Sequence, residues 1–141
     1  GAAWRELEAV DDGETPPARA RHTAVHWAAR GYLVLGGEEM LDAWLCRAPL
    51  VPEDEGGARW ERLPDLPIAV RPEERTLASD AAAVAIDADR LLVVARSVPR
   101  RSVFGDFHRR SHSTARPLFL LLEHSPWRWS ACSCTDASRL G

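Results

Sequence analysis

Four histidines stand in two pairs whose spacing could support metal chemistry. His22 with His26, and His108 with His112, are each four residues apart, a spacing that places two imidazoles on one face of a helix. Neither segment has the apolar periodicity of a helix, and on a strand two such residues lie about 13 Å apart. No glutamate stands between them in the metalloprotease arrangement. We therefore expect no shared metal ion at either pair.

The three cysteines predict neither a disulfide framework nor a zinc site. Their number is odd, and Cys46 lies in an apolar run typical of a buried strand. Cys132 and Cys134 lie in a serine-rich tail with His124 as the nearby imidazole, whereas a structural zinc ion needs four ligands. We predict no metal, no cofactor and no catalytic residue.

A basic segment interrupts a chain that is acidic overall. The 141 residues include 18 arginines and 21 acidic residues, which gives a net charge of −3. Between residues 96 and 116 one acid, Asp106, stands among six arginines: Arg96, Arg100, Arg101, Arg109, Arg110 and Arg116. This segment could attract an acidic protein, a phosphate group or a nucleic acid, and Arg-Arg-Ser at 100–102 and 109–111 resembles the sites of basophilic kinases. A solvated loop is the simpler interpretation, and we do not expect nucleic-acid binding.

The elements that must position these residues are predicted to be strands. Proline occurs ten times and leaves few uninterrupted windows of helical length. Short apolar or alternating runs indicate eight strands instead: Thr23–Trp27, Tyr32–Leu35, Ala43–Arg47, Arg59–Leu63, Ala81–Ile86, Leu91–Ala95, Leu118–Leu122 and Trp127–Ala131. No apolar run reaches the roughly 18 residues of a membrane span, so we expect a globular all-β chain with no membrane partner.

Short turns between these runs favour antiparallel neighbours. Gly36-Gly37, Gly56-Gly57 and Asp87-Ala88-Asp89 provide turn chemistry, whereas parallel strands would need longer crossovers. The alanine-rich run from Ala78 to Ile86 could instead form a helical turn, because alanine is a strong helix former. We favour the strand because residues 86–91 have the pattern of a hairpin turn between two apolar runs.

An internal repeat groups the strands in fours. Trp4-Arg-Glu-Leu7 matches Trp60-Glu-Arg-Leu63, and Trp127-Arg-Trp129 ends a second interval. Each interval contains a loop with proline and arginine followed by strand-like runs, and repeats of about 40 to 50 residues indicate propellers or arrays. Four antiparallel strands form one propeller blade.

The first interval resembles the kelch repeat of the galactose oxidase-like propellers. It contains Pro17-Ala-Arg19 and His22-Thr-Ala-Val25 leading into its first strand, Gly36-Gly37 after its second, and Trp60-Glu-Arg-Leu63-Pro64 on its fourth. The resemblance implies four-stranded antiparallel blades. A glycine pair would allow a close backbone approach, and the indole of Trp60 would fill the space between neighbouring blades.

The second copy of the repeat is longer and degenerate, with Val93-Val94-Ala95-Arg96 at the position of the double glycine. Arg96 is expected to be strained there or exposed at the edge of the sheet. We divide the chain into residues 1–8, the last strand of a preceding blade; 9–63, a first blade; 64–131, a second blade with an arginine-rich loop at 97–117; and a tail at 132–141. Two blades form a partial propeller, so the open edges are expected to pair with the rest of a longer propeller or with another chain.

The resemblance implies a protein-interaction module without catalysis. Kelch-like propellers bind partners through the loops that join second to third strands and through the loops that join successive blades. In this sequence those loops hold Glu38, Glu39 and Met40; Arg71, Glu73, Glu74 and Arg75; and Arg100, Arg101, Phe104, Phe107, Arg109 and Arg110. Arginine and aromatic side chains are enriched at interfaces, so we expect an unidentified protein as the partner.

Two other propeller functions are alternatives. A galactose oxidase-like enzyme would need copper held by tyrosine and histidine, but the single tyrosine, Tyr32, lies in a strand where we expect it to pack in the core. A WD-type repeat scaffold would place a polar residue after Trp44, where Leu45 stands. Both alternatives predict the same all-β architecture.

Overall fold

The computed structural model describes residues 3–4, 6–9, 13–28, 30–47, 57–100 and 115–132. These residues form eight strands: β1 Thr23–Trp27, β2 Gly31–Leu35, β3 Ala43–Arg47, β4 Arg59–Leu63, β5 Glu74–Ala85, β6 Arg90–Pro99, β7 Arg116–Glu123 and β8 Arg128–Cys132. The described residues include no helix, and therefore none that is long and apolar enough to cross a membrane. The prediction of an all-β fold is confirmed.

The strands form two antiparallel sheets of four. β1–β4 make the first sheet and β5–β8 the second, and in each sheet the spatial order of the strands is their order in the sequence. Every neighbouring pair is antiparallel. This order follows from the short connections, because antiparallel neighbours can be joined by tight turns. Each sheet has the strand arrangement of a propeller blade.

The first strand of the second sheet is longer than the sequence indicates. β5 covers Glu74–Ala85 instead of beginning at Ala81. A shift in register interrupts its pairing with β6 around Asp80, whose φ is 54°. The irregularity breaks the alternating pattern that marks a strand, which explains the late predicted start. The helical alternative is excluded because residues 82–85 pair with β6.

The two sheets share one hydrophobic core, and their backbones come together at Gly36–Gly37. The Gly37 amide donates a hydrogen bond of 3.0 Å to the Ala78 carbonyl oxygen. A Cβ atom on Gly36 would lie 2.5 Å from that same oxygen, and both glycines have positive φ, of 62° and 122°. Space and backbone conformation therefore both exclude a side chain here. The predicted reason for the double glycine, a close backbone approach, is confirmed.

Trp27, rather than Trp60, is the indole buried between the sheets. Trp27 is 1% exposed, and its Nε1 donates a hydrogen bond of 2.6 Å to the Asp87 carbonyl oxygen in the second sheet. Trp60 is only partly buried and does not lie between these two sheets, so its predicted contact with a neighbouring blade could be made only on the other face of the first sheet and stays a prediction. Alternation along β4 explains the difference: Leu63 faces the core, and Trp60, three residues away, lies on the opposite face.

Further contacts close the interface around Trp27. The ring of Trp127 lies edge-on, with its centroid 5.5 Å from that of Trp27. The Arg30 guanidinium lies 5.6 Å and 5.0 Å from these two ring centroids, which are cation–π distances. On the outermost strand of the second sheet, Trp129 Nε1 donates to the Pro64 carbonyl oxygen at 2.8 Å. The segment that connects the sheets is thereby attached to β8.

The second glycine position of the repeat is an ordinary strand position in the second sheet. β6 continues through Arg96 to Pro99, so the backbone stays extended at the point where β2 has ended. Arg96 has no positive φ, and its exposed guanidinium donates to Ser79 Oγ at 3.0 Å. Arg96 is therefore exposed on an interior strand, between β5 and β7, so the expected exposure at a sheet edge is wrong. Its backbone conformation is unstrained.

The arginine-rich loop and the tail are shorter than predicted. The loop predicted at 97–117 loses residues at both ends, because β6 reaches Pro99 and β7 begins at Arg116. Cys132 ends β8 instead of beginning the tail. The longer strands follow from pairing, since β6 and β7 remain in register out to Ser97 and Arg116.

The N-terminal residues lie beside β4. The Ala58 amide donates to the Glu8 carbonyl oxygen at 2.9 Å, and Ala9 pairs with Ala58 in a single parallel bridge. The described residues among 1–8 belong to no strand. Their assignment to a preceding blade stays a prediction.

Replacing Trp27 with alanine tests the packing between the sheets. The change removes a large buried indole and leaves the Asp87 carbonyl without its donor, so we expect a loss of about 3 to 5 kcal/mol in unfolding free energy. Trp4→Ala is the matched control because Trp4 is fully exposed, and it should change stability by less than about 0.5 kcal/mol. Chemical denaturation measures both effects. Equal losses in the two variants would contradict the central position of Trp27.

Candidate functional site

Two of the three predicted binding loops meet at one end of the sheets. The turn between β2 and β3 carries Glu38–Met40, and the connection from β4 to β5 carries Arg71 and Glu73. Arg75 was predicted in that connection but lies on β5, where it pairs with Val98. The third loop begins beside them, because the Arg100 amide donates to the Glu73 carbonyl oxygen at 2.8 Å. We define the loop face as Glu38, Glu39, Met40, Ile68, Val70, Arg71, Glu73, Arg75 and Arg100. The other predicted residues, Arg101, Phe104, Phe107, Arg109 and Arg110, lie outside the described part of the chain.

A cavity of about 230 Å³ lies between the first two loops. It is lined by Gly37, Glu39, Met40, Leu41, Ile68, Arg75, Thr76, Leu77 and Ala78. Residues of both sheets therefore share one concave site, which we call the loop-face cavity. Its lining combines apolar side chains with one carboxylate and one guanidinium, a composition typical of binding pockets.

A buried ion pair holds the turn that forms one wall of this cavity. The Arg19 guanidinium binds both carboxylate oxygens of Asp42, at 2.9 Å and 2.7 Å, and also donates to the Gly36 carbonyl oxygen at 3.0 Å. The Arg19 side chain is only 4% exposed. Trp44 Nε1 donates to the same carboxylate at 2.6 Å. Arg19 belongs to the predicted motif, whereas nothing in the sequence singled out Asp42 as its partner.

The protonation of Asp42 reflects two opposing effects. Partial burial disfavours the charged carboxylate and raises its pKa, but hydrogen bonds from Arg19 and Trp44 and the Arg19 charge act in the opposite direction. The net result is a pKa of Asp42 below the ordinary aspartate value. The carboxylate is thus ionised at neutral pH and fixes both ends of the turn.

The connection between the sheets forms the opposite wall. The Leu66 amide donates to the Leu41 carbonyl oxygen at 2.8 Å, and the Leu66 side chain is almost completely buried. The Thr76 amide donates to the Ile68 carbonyl oxygen at 2.8 Å. These anchors leave Ile68 70% exposed and Val70 40% exposed. Sequence reasoning missed both, although two apolar residues in a connection bounded by prolines were a usable signal.

A second cavity, of about 390 Å³, lies on the second sheet beside the loop face. It is lined by Val70, Arg71, Glu74, Ser97, Arg116, Pro117, Leu118, Phe119, Ala131 and Cys132. Ser97 Oγ donates to Glu74 at 2.6 Å, and Arg116 forms an ion pair with the same carboxylate. These contacts lower the pKa of Glu74, first through the Ser97 hydrogen bond and then through Arg116. The Glu74 carboxylate is therefore engaged by β6 and β7 of the second sheet.

The remaining charges of the loop face are unpaired within the described part of the chain. The side chains of Arg71, Arg75 and Arg100, and of Glu38, Glu39 and Glu73, form no hydrogen bond or ion pair with another described residue. Arg71 interacts electrostatically with Glu74, and Glu38 with Arg21, without a close ion pair. Charged groups with no close ion pair among the described residues can bind a group of opposite charge on another molecule. Both signs are present around the exposed Ile68.

Tyr32 does not pack in the core, and that prediction is wrong. Tyr32 is 46% exposed, and its ring lies against His26 with the centroids 5.0 Å apart. Leu33 and Leu35 take the core side of β2, so strand alternation turns Tyr32 to the opposite face.

The prediction that Cys46 is a buried strand residue is confirmed. Cys46 is buried in β3, and burial raises the pKa of its thiol. The described ranges contain no group of three or more histidine, cysteine, aspartate or glutamate side chains that could hold a metal ion.

The fold defines the class of protein as an all-β chain with two propeller-like four-stranded sheets. No family model matches the chain, and no curated protein or solved structure matches it.

Replacing Asp42 with asparagine tests the network that holds the turn. The variant leaves the buried Arg19 guanidinium without its counter-charge, so we expect about 3 kcal/mol of lost stability at neutral pH. Asp65→Asn is the control, because Asp65 forms an exposed ion pair with Arg62 and should contribute less than about 1 kcal/mol.

The effect of the Asp42 variant should also depend on pH. Because the folded-state pKa is lowered, the carboxylate stabilises the fold above about pH 4, the ordinary aspartate pKa, and this contribution is lost as the pH falls through the folded-state value. Denaturant titrations at neutral and acidic pH should show the difference between wild type and variant shrinking in acid. A difference that stays constant would contradict the electrostatic role of Asp42.

Proposed function

We propose that this chain is a kelch-like propeller module that binds a protein partner through its loop face and acts without catalysis. The observation that carries the proposal is the loop-face cavity, where Glu39 and Met40 from one predicted loop meet Arg75 from another. The resemblance to the kelch repeat implies that these loops bind a partner. Their convergence on one cavity supports that assignment.

The composition of the loop face also supports an interface. Ile68 and Val70 expose apolar surface, and Ile68 lines the cavity together with the charged side chains of Glu39 and Arg75, which form no close ion pair with another described residue. Protein interfaces commonly combine an apolar centre with a polar, charged rim. An aliphatic residue that is 70% exposed costs free energy in water, and a partner that covers Ile68 would remove this cost.

The cavity indicates which part of a partner it would receive. A volume of about 230 Å³ accommodates one apolar side chain. Arg75 on its wall would bind an acidic group next to that side chain, and Glu39 would bind a basic one. An extended peptide with one apolar anchor between charged residues fits this arrangement.

Selection of peptides against the purified protein tests the proposal. A random-peptide phage library serves as the probe, and the affinity of enriched peptides is measured by fluorescence polarisation. Ile68→Asp places a charge at the centre of the loop face and should weaken binding at least about tenfold, which equals about 1.4 kcal/mol. Leu7→Asp is the matched control, because Leu7 is an exposed aliphatic residue beside the start of β4, at the other end of the first sheet.

Two results would count against the loop face as the binding site. Selection that enriches no peptide is one of them. Enriched peptides that bind Ile68→Asp as tightly as wild type are the other, because they would place binding elsewhere on the protein.

A further inference from the structure

The second sheet has an apolar face that points away from the first sheet. The residues of β5 and β6 that pack toward the shared core are Ala83, Ala85, Leu91 and Val93. Strand alternation turns the residues between them to the other side. We define the outer face of the second sheet as Ala82, Val84, Leu92 and Val94. Val84 is 56% exposed, and Phe119 on β7 extends this face next to Val94.

The first sheet indicates what covers such a face. The repeat aligns Gly36–Gly37 with residues 95–96, so Leu33 and Leu35 on β2 correspond to Leu92 and Val94 on β6. Leu33 and Leu35 are completely buried in the core that the first sheet shares with the second. The same positions are therefore covered by a neighbouring sheet in the first half of the chain, whereas Leu92 and Val94 are only partly buried and are covered by no other sheet among the described residues.

The complementary surface is open on the first sheet. We define the outer face of the first sheet as Ala24, His26, Tyr32 and Val34. Cross-strand pairing shows that these positions correspond to the residues of β5 and β6 that face the shared core. Tyr32 pairs with His26 and Val34 with Ala24, in the way that Leu91 pairs with Ala85 and Val93 with Ala83. In the second sheet these positions contact the first sheet, whereas Ala24, His26 and Tyr32 are exposed.

We infer that a second copy of this chain packs the outer face of its first sheet on the outer face of the second sheet. One contact between sheets is made within the chain. The outer faces of the first and second sheets are the two surfaces that a second contact of the same kind would join. A second copy supplies the missing half by repeating the internal contact between molecules. Because two different surfaces meet, the association is head-to-tail and can add further copies.

The contact between copies is expected to be weaker than the contact within the chain. The internal contact depends on the close backbone approach at Gly37, and Arg96 occupies the corresponding position in the second sheet. A side chain at that position keeps a neighbouring backbone farther away. Association should therefore rest on side-chain contacts around Val84 and Tyr32 and should be reversible on dilution.

Sedimentation velocity over a range of protein concentrations tests the inference. Wild type should form oligomers whose average mass rises with concentration. Val84→Asp and Tyr32→Asp should each sediment as monomers, because each places a charge on one of the two faces. Ile68→Asp is the matched control and should associate like wild type, because Ile68 belongs to the loop face. This inference does not rest on the proposed function, and the two experiments use different variants as their test.

A mixture of the two variants gives the sharpest result. Val84→Asp keeps an intact first-sheet face, and Tyr32→Asp keeps an intact second-sheet face. Their equimolar mixture should form dimers and nothing larger, since one compatible contact remains. If circular dichroism shows that either variant is unfolded, Ala82→Glu replaces Val84→Asp and Ala24→Glu replaces Tyr32→Asp, because both alanines are exposed.

Three outcomes would overturn the inference. A wild type that stays monomeric at about 100 μM has no such contact of useful strength. Association that Val84→Asp abolishes and Tyr32→Asp leaves intact indicates two-fold pairing of one face. A mixture of the two monomeric variants that forms no dimer excludes the head-to-tail arrangement.

Discussion

The close contact between Gly36–Gly37 and Ala78 is the constraint on which the arrangement of the two sheets depends. A backbone hydrogen bond of 3.0 Å joins the sheets there, and the carbonyl oxygen that accepts it occupies the space a Gly36 side chain would need. Because the backbones are this close, β1 and β5, the first strands of the two sheets, lie side by side. The Thr23 hydroxyl donates to the Ala81 carbonyl, and Arg21 pairs with Asp80 along the same border. At the other end of the sheets, Trp27 is buried between them.

The loop face is a consequence of the same contact. Gly37 and Ala78 both line the loop-face cavity, so the backbone approach that joins the sheets also places two loops beside each other. The Arg19–Asp42 ion pair joins the two ends of the turn beside this cavity, since Arg19 also donates to the Gly36 carbonyl oxygen. Burying these charges costs free energy, and a bidentate contact with additional hydrogen bonds from Trp44 and to Gly36 offsets that cost. A structural network and a binding surface therefore share one turn.

Local patterns predicted the elements well and the orientation of their side chains less well. The bounds of β1, β3 and β4 agree with the predicted strands, because each is a short run between clear turn signals. The early part of β5 was missed, since the irregularity at Asp80 breaks the alternation on which the prediction relied. Of the predicted site, the sequence identified the turn at Glu38–Met40 and the arginines beside it. The exposed Ile68 and the cavity were found only in three dimensions.

The sequence by itself determined an all-β chain, the grouping of its strands in fours and the need for glycine at one position, because turn chemistry, alternation and steric exclusion are local properties. Tertiary structure alone decided that Trp27 rather than Trp60 lies between the sheets and that Tyr32 faces outward. A motif specifies which residue types occur, but the face a strand residue occupies depends on which side of its sheet is covered. That choice is made by the packing of one sheet on another, and the same packing brings distant loops together around a cavity.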